Sequence, residues 1–142
     1  MKTATAATIE SKYKFQRLEV YQLALEYLDL LYELAKTLPA EEKYNLTSQL
    51  QRAATSIVLN IAEGSTGQSD AEQNRFLGLA MRSYLETVAC LDIAQRRAFV
   101  KDSLHNVREF GHRLFTKLQA FRHSLKSQPA VSGPPSPVSK IQ

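Results

Sequence analysis

Catalysis or metal binding in a small helical protein is usually built from histidine, cysteine and carboxylate side chains set one or two turns apart. This chain of 142 residues offers few of them. Glu109-x-x-His112 is a single pair of the di-metal type. A di-metal site in a helix bundle needs two such pairs and two further glutamates, all pointing inward. At about 100° per residue Glu109 and His112 point away from the seam of Val107, Gly111 and Leu114, so they are expected to face solvent. His105 and His112 lie about 10 Å apart along a helix rising ~1.5 Å per residue, too far to share one ion. His123 stands alone. No metal or cofactor site is expected.

The single cysteine, Cys90, excludes an intramolecular disulfide and any multi-cysteine zinc site. Its neighbours Val88, Ala89 and Leu91 predict a buried, inert thiol. Gly64-Ser-Thr-Gly67 invites comparison with a phosphate loop, but it lacks the Gly-Lys-Ser/Thr ending and follows a helix instead of a strand. A helix–helix turn is expected there, with at most weak anion affinity at the helix that begins at Ser69. No nucleophile elbow or Cys/His pair is present. The chain reads as non-catalytic.

The elements that would carry these residues are helical. No proline occurs between Pro39 and Pro129 and only five glycines occur in all, as helix interiors require. From Arg17 to Leu38 the residues Val20, Ala24, Tyr27, Leu31, Leu34 and Leu38 step by four and three, a heptad seam. A second apolar row, Tyr21, Leu25, Leu28 and Tyr32, leaves only the narrow polar stripe of Gln22, Glu26, Asp29, Glu33 and Lys36. A helix so apolar is expected to be covered by something outside its own bundle. Leu46 to Glu63 places Leu46, Leu50, Ala53, Ile57 and Ile61 inward. Ser69-Asp-Ala-Glu72 reads as a capping box opening a third helix, which runs to about Arg97 with Leu77, Met81, Tyr84, Val88 and Leu91 as its seam. Asp102 or Ser103 caps a fourth, carrying Leu104, Val107, Gly111, Leu114, Leu118, Phe121 and Leu125 inward.

These segments predict an all-α, antiparallel up-down-up-down four-helix bundle over residues 15–127. A flexible N-terminus (1–14) and a disordered Pro/Ser-rich tail (128–142) are expected to flank it. The N-terminus has no apolar stretch resembling a signal peptide, and no run approaches the ~18 apolar residues of a membrane span. A cytoplasmic protein without membrane contact is expected.

Two polar groupings remain. Gln49, Arg52, Ser56, Asn60 and Glu63 line one side of the second helix; Arg75, Arg82, Ser83 and Glu86 line the third. Pairs of Glu63 with Arg75 and of Arg52 with Glu86, between helices or between subunits, are expected to fix register. The charge is also uneven: residues 1–100 carry 11 Lys/Arg against 12 Asp/Glu, residues 101–142 carry 7 against 2. Arg96, Arg97, Lys101, Arg108, Arg113, Lys117, Arg122 and Lys126, with the three histidines, dominate the polar side of the last helix. Repeated around an oligomer they become a belt that attracts phosphate backbones. Phe115 and Phe121 read as core residues, so backbone binding is expected over base readout.

The runs Gln49-x-x-Arg52-Ala-Ala, Asn60-Ile-Ala-Glu-Gly64, Arg75-Phe76 and Ser83-x-x-Glu86 carry a resemblance. The chain is similar to the bacterial four-helix-bundle family encoded in intervening sequences of the large-subunit ribosomal RNA gene, strongly over about residues 15–100. The resemblance implies a homopentamer, with Asn60, Glu63 and Gly64 as the structural ending of the second helix. A related branch, the accessory variability determinants of diversity-generating retroelements, implies a basic pentamer that binds RNA or DNA and a reverse transcriptase. The alternative the family leaves open is an oligomeric protein-interaction module with no nucleic-acid role. The tail lies outside the family pattern.

Overall fold

The computed structural model describes residues 11–67 and 69–126, with only the backbone of Lys126. The expected disordered tail, and the expected flexible N-terminus as far as residue 10, lie outside the described residues. Within them are four helices and no strand: α1 (Glu19–Ala35), α2 (Leu46–Gly64), α3 (Asp70–Arg96) and α4 (His105–Lys126). Single 3-10 turns at Lys14–Arg17 and Ala40–Glu42 precede α1 and α2.

α1 is shorter than its apolar periodicity suggests, for local reasons at each end. Lys14–Arg17 winds as a 3-10 turn and Leu18 is extended (φ −71°, ψ 135°), so the helix starts at Glu19. At the other end the N–H groups of Lys36, Thr37 and Leu38 donate to carbonyls three residues back, and the Thr37 hydroxyl donates to Leu34 O at 2.7 Å. That tightening uses up the terminal carbonyls before Pro39. α3 opens as expected, with the Ser69 hydroxyl accepting the Glu72 N–H at 3.1 Å and Asp70 and Glu72 in the first turn. α4 begins at His105, whose N–H donates to the Ser103 hydroxyl at 3.0 Å.

The end of α3 is unusual. Phe99 N–H donates to Ala94 O and Ala98 N–H to Gln95 O, the two bonds of a Schellman cap, and the left-handed position (φ 59°) is filled by Ala98 where glycine is the ordinary choice. An alanine held there costs ~1–2 kcal/mol, partly offset by its stiffer unfolded chain. Ala98→Gly should therefore raise unfolding stability by roughly 0.5–1 kcal/mol in urea denaturation.

Cross-helix contacts fix the topology. Ser56 meets Ser83, Asn74 meets Arg122, Asp92 meets Arg108 and Glu19 meets Lys117, so α2–α3, α3–α4 and α4–α1 all run antiparallel. Tyr32 and Thr55 join α1 to α2. Each helix thus neighbours the two beside it, in the up-down-up-down order.

Leu31, Leu50, Ile57, Ile61, Leu77, Leu91, Leu114 and Leu118 fill the interior with essentially no exposure. Each such side chain stabilises the fold by ~1.5–3 kcal/mol of transfer free energy. The heptad seam of α1 is buried apart from Leu34, which is half-buried; its second row is half-buried along Tyr21, Leu25 and Leu28 and exposed at Tyr32. On α3 the buried face is wider than its seam, because this helix packs against two neighbours: Met81 and Val88 sit at its edge while Ala80, Thr87, Cys90 and Ala94 are buried. Thr87 is the polar residue of this core. Its hydroxyl lies 2.8 Å from the Tyr27 hydroxyl and donates to Tyr84 O, which is why a fully buried threonine costs little. Burial in that core pushes the Tyr27 hydroxyl far above the ordinary tyrosine range.

Candidate nucleic-acid interface

The basic residues of the last helix do not form one stripe. Arg108 donates from Nη2 to Asp92 Oδ1 and Gln95 Oε1, both at 3.0 Å. Lys117 Nζ stands 3.5 Å from Glu19 Oε1. Arg122 donates from Nε to Asn74 Oδ1 at 3.1 Å and lays its guanidinium against Gly78. At about 100° per residue, Arg108 and Arg122 stand on the flank of α4 facing α3, and Lys117 and Arg113 on the flank facing α1. The outermost strip of the helix carries His105, Glu109, His112, Thr116, Gln119 and His123, all exposed. Long cationic side chains lean sideways over apolar surface to reach a neighbour's carboxylate or amide, and that divides the expected belt in two. The side chain of Lys126 lies outside the described residues.

Four of the expected cations have neither a carboxylate nor an amide partner among the described residues. Arg96, Arg97 and Lys101 crowd into the α3–α4 connection, all exposed, with Arg97 5.9 Å from the Phe99 ring centre. Arg113 is exposed and lies 5.7 Å from the Phe110 ring centre. Arg96 and Arg97 also complement the negative end of the α3 dipole. The neighbouring α1–α2 connection adds Lys43 but also Glu41 and Glu42, so the free positive charge belongs to the α3–α4 side of this end.

The polar stripe between α2 and α3 differs from the expected one. No ion pair joins Arg52 to Glu86 or Glu63 to Arg75 among the described residues; Arg75 pairs with Glu72 on its own helix at 3.4 Å and lies over the Phe76 ring at 4.4 Å. Arg52, Glu63, Arg75 and Glu86 are all exposed on the outer faces of the hairpin, beyond the seam where the helices touch. Small polar groups occupy that seam instead. The Ser56 and Ser83 hydroxyls meet at 2.7 Å, and Asn60 Nδ2 donates to Ser56 O and Oγ at 2.9 and 3.0 Å. Gly64 ends α2 against Phe76: a Cβ built there would stand 2.6 Å from Phe76 Cβ. Asn60 thus bonds within α2, to the serine that meets Ser83, and Gly64 lies against Phe76, while Gln49 and Arg82 are exposed.

Two other candidates resolve simply. The α2–α3 turn, with Gly67 at φ 90°, borders a hollow of about 250 Å³ lined by Lys14, Ser65, Ser69, Asp70 and Gln73. Its lysine is matched by an aspartate, and Ser65 accepts from Gln73 at 2.9 Å. Cys90 is buried and its thiol is pushed up, chiefly by that burial. Among the described residues no three His, Cys, Asp or Glu side chains are grouped to hold a metal ion, and no helix is long and apolar enough to cross a membrane. Asn74, Asp92 and Gln95, which hold the α4 cations, went unforeseen; only the antiparallel register of α3 on α4 points to them.

Fold and site together define a four-helix-bundle protein whose described polar groups lie at packing seams, around the α2–α3 turn and on outer surfaces. The chain belongs to the 23S rRNA-intervening sequence protein family, whose model matches residues 16–115. Its fold is similar to the 1.70 Å crystal structure of a protein of unknown function from the S23 ribosomal protein family of Bacteroides thetaiotaomicron. That protein is 24% identical, with a TM-score of 0.67, over 73% of this chain and 95% of the other. No curated protein matches the sequence.

Proposed function

We propose that this protein is a non-catalytic, cytoplasmic homopentameric scaffold that holds the backbone of RNA or DNA, in the service of a retroelement reverse transcriptase. The observation that carries the nucleic-acid reading is the crowding of Arg96, Arg97 and Lys101, exposed and without carboxylate partners, at the α3–α4 connection. Their charge is free for phosphate, whereas Arg108 and Lys117 would first have to leave their own carboxylates. The half-buried apolar row of α1 supports self-association, which would multiply the cluster around a ring. Binding of single-stranded RNA and of DNA across a salt series tests it. Affinity falling linearly in log–log form, with a slope of about −3 or steeper, fits several phosphate contacts per site.

A second reading, an oligomeric protein-interaction module without nucleic acid, draws on the cations already engaged within the chain. Absence of binding even at low salt would select it.

A further inference from the structure

Just ahead of α1 the run Lys12-Tyr13-Lys14-Phe15 alternates cations with aromatic rings, and residues 11–18 carry three basic side chains and no acidic one. Hydrogen bonds hold this lead-in, although only a 3-10 turn winds within it. Tyr13 N–H donates to Gln16 Oε1 at 2.9 Å, and Gln16 N–H donates back to Tyr13 O at 3.1 Å. Gln22 Nε2 of α1 donates to Gln16 O and Arg17 Nη1 donates to Ser11 O, both at 2.7 Å.

The rings form a short ladder on that frame. Phe15, half-buried, meets Tyr21 of α1 edge-on at 5.0 Å, which anchors the segment to the bundle. Tyr13 lies parallel to Phe15, with planes 10° apart and centres 6.3 Å apart, yet stays 60% exposed. Phe15 already pins the turn, so the outer ring adds little burial and leaves most of its surface open. Lys12 and Lys14 on either side are exposed and pair with no carboxylate among the described residues; Asp70 shares a hollow with Lys14 but makes no ion pair with it. Glu10, before the segment, lies outside the described residues, and Glu19, after it, is engaged by Lys117 at 3.5 Å.

We propose that Lys12, Tyr13 and Lys14 form a contact for single-stranded nucleic acid, with one base stacked on the Tyr13 ring and the adjoining phosphates on the two lysines. Every base has a π-face, so such a contact tolerates any sequence but needs an unpaired strand, because a duplex keeps those faces stacked. The place is distinct from the cluster of Arg96, Arg97 and Lys101. Lys14 borders the α2–α3 turn where α3 starts, and Arg96 closes the same helix, about 40 Å away for 27 residues at ~1.5 Å each. The inference rests on the nucleic-acid reading above and adds to it a second point of contact and a preference for single strands.

Tyr13→Trp gives the full chain its single tryptophan, at a position outside the core. Its fluorescence should be quenched on titration with poly(U) or poly(dT), and should not respond to a duplex. In anisotropy titrations with a labelled oligouridine, Tyr13→Ala should bind about tenfold more weakly at an unchanged salt slope, and Tyr13→Phe should bind like the parent. Lys12→Gln combined with Lys14→Gln should shrink the log–log salt slope by about 1.4. Tryptophan fluorescence that single strands leave unquenched, parent-like binding by Tyr13→Ala, or an equal loss by that variant on duplex would each overturn the stacking contact while the nucleic-acid reading stands. A parent chain that binds neither single strands nor duplex at low salt overturns both.

Discussion

Changing Arg96, Arg97 and Lys101 together to glutamate should lower affinity for single-stranded RNA about a hundredfold at about 0.1 M monovalent salt. Each phosphate contact on a single strand contributes about 0.7 to the slope of log affinity on log salt, which at about 0.1 M is roughly a fivefold gain per contact. Three lost contacts multiply to roughly 125-fold, and the log–log slope should shrink by about 2.1. All three side chains are exposed and outside the core, so the helical fold should persist. The informative control is Arg122→Glu. Its guanidinium is bonded to Asn74 and rests on Gly78, so that change should reduce thermal stability more than it reduces RNA affinity. Electrophoretic or anisotropy titrations at three salt concentrations measure both quantities. Unchanged affinity in the triple variant would remove the α3–α4 connection from the interface.

The second large effect is on stability. Gly111→Val should cost about 3 kcal/mol in chemical denaturation. Gly111 is buried at the point where α4 passes between aromatic rings: a Cβ there would come within 2.8 Å of Tyr27 and 2.9 Å of Tyr84. Those rings cannot step aside. Tyr27 is bonded to Thr87, Tyr84 stacks on Phe115 at 5.0 Å, and Tyr27 lies parallel to Phe110 at 6.5 Å. Gly78→Ala is the contrasting case. The three atoms nearest a Cβ at that position all belong to the guanidinium of Arg122, the end of a flexible side chain, so the helix propensity gained (~1 kcal/mol) should at least balance the contact. Opposite signs at two glycines of the same bundle would show that ring packing, and not glycine itself, sets the cost.

The fold was legible because apolar periodicity speaks for whole elements. Val20, Ala24, Tyr27 and Leu31 step by four and three, and no arrangement other than a buried helix face uses them. Ser69-x-x-Glu72 located the start of α3 for an equally local reason, a hydroxyl placed to accept a free N–H. Thr87 escaped because hydrophobicity cannot see a polar residue that is satisfied by Tyr27. The ends of α1 escaped because a 3-10 turn and the Thr37 hydroxyl, both invisible to a seven-residue rhythm, decide them.

The surface was less legible, since a charge's partner lies on another helix. The cations of α4 read as one face until the register with Asp92, Asn74 and Glu19 assigned each to a flank. The same gap hid that, within one chain, the angular positions of Arg52 and Glu86 carry both past the seam held by Ser56 and Ser83. At the α3–α4 connection the charges are close enough in sequence to be read without register.

The central claim is that this chain works as a ring of copies, and its molar mass in solution tests that most directly. Light scattering on the purified protein should give about five times the 16.0 kDa chain mass, unchanged over a tenfold dilution. A mass of 16.0 kDa at every concentration would contradict the account, because the half-buried apolar row of α1 would then have no partner.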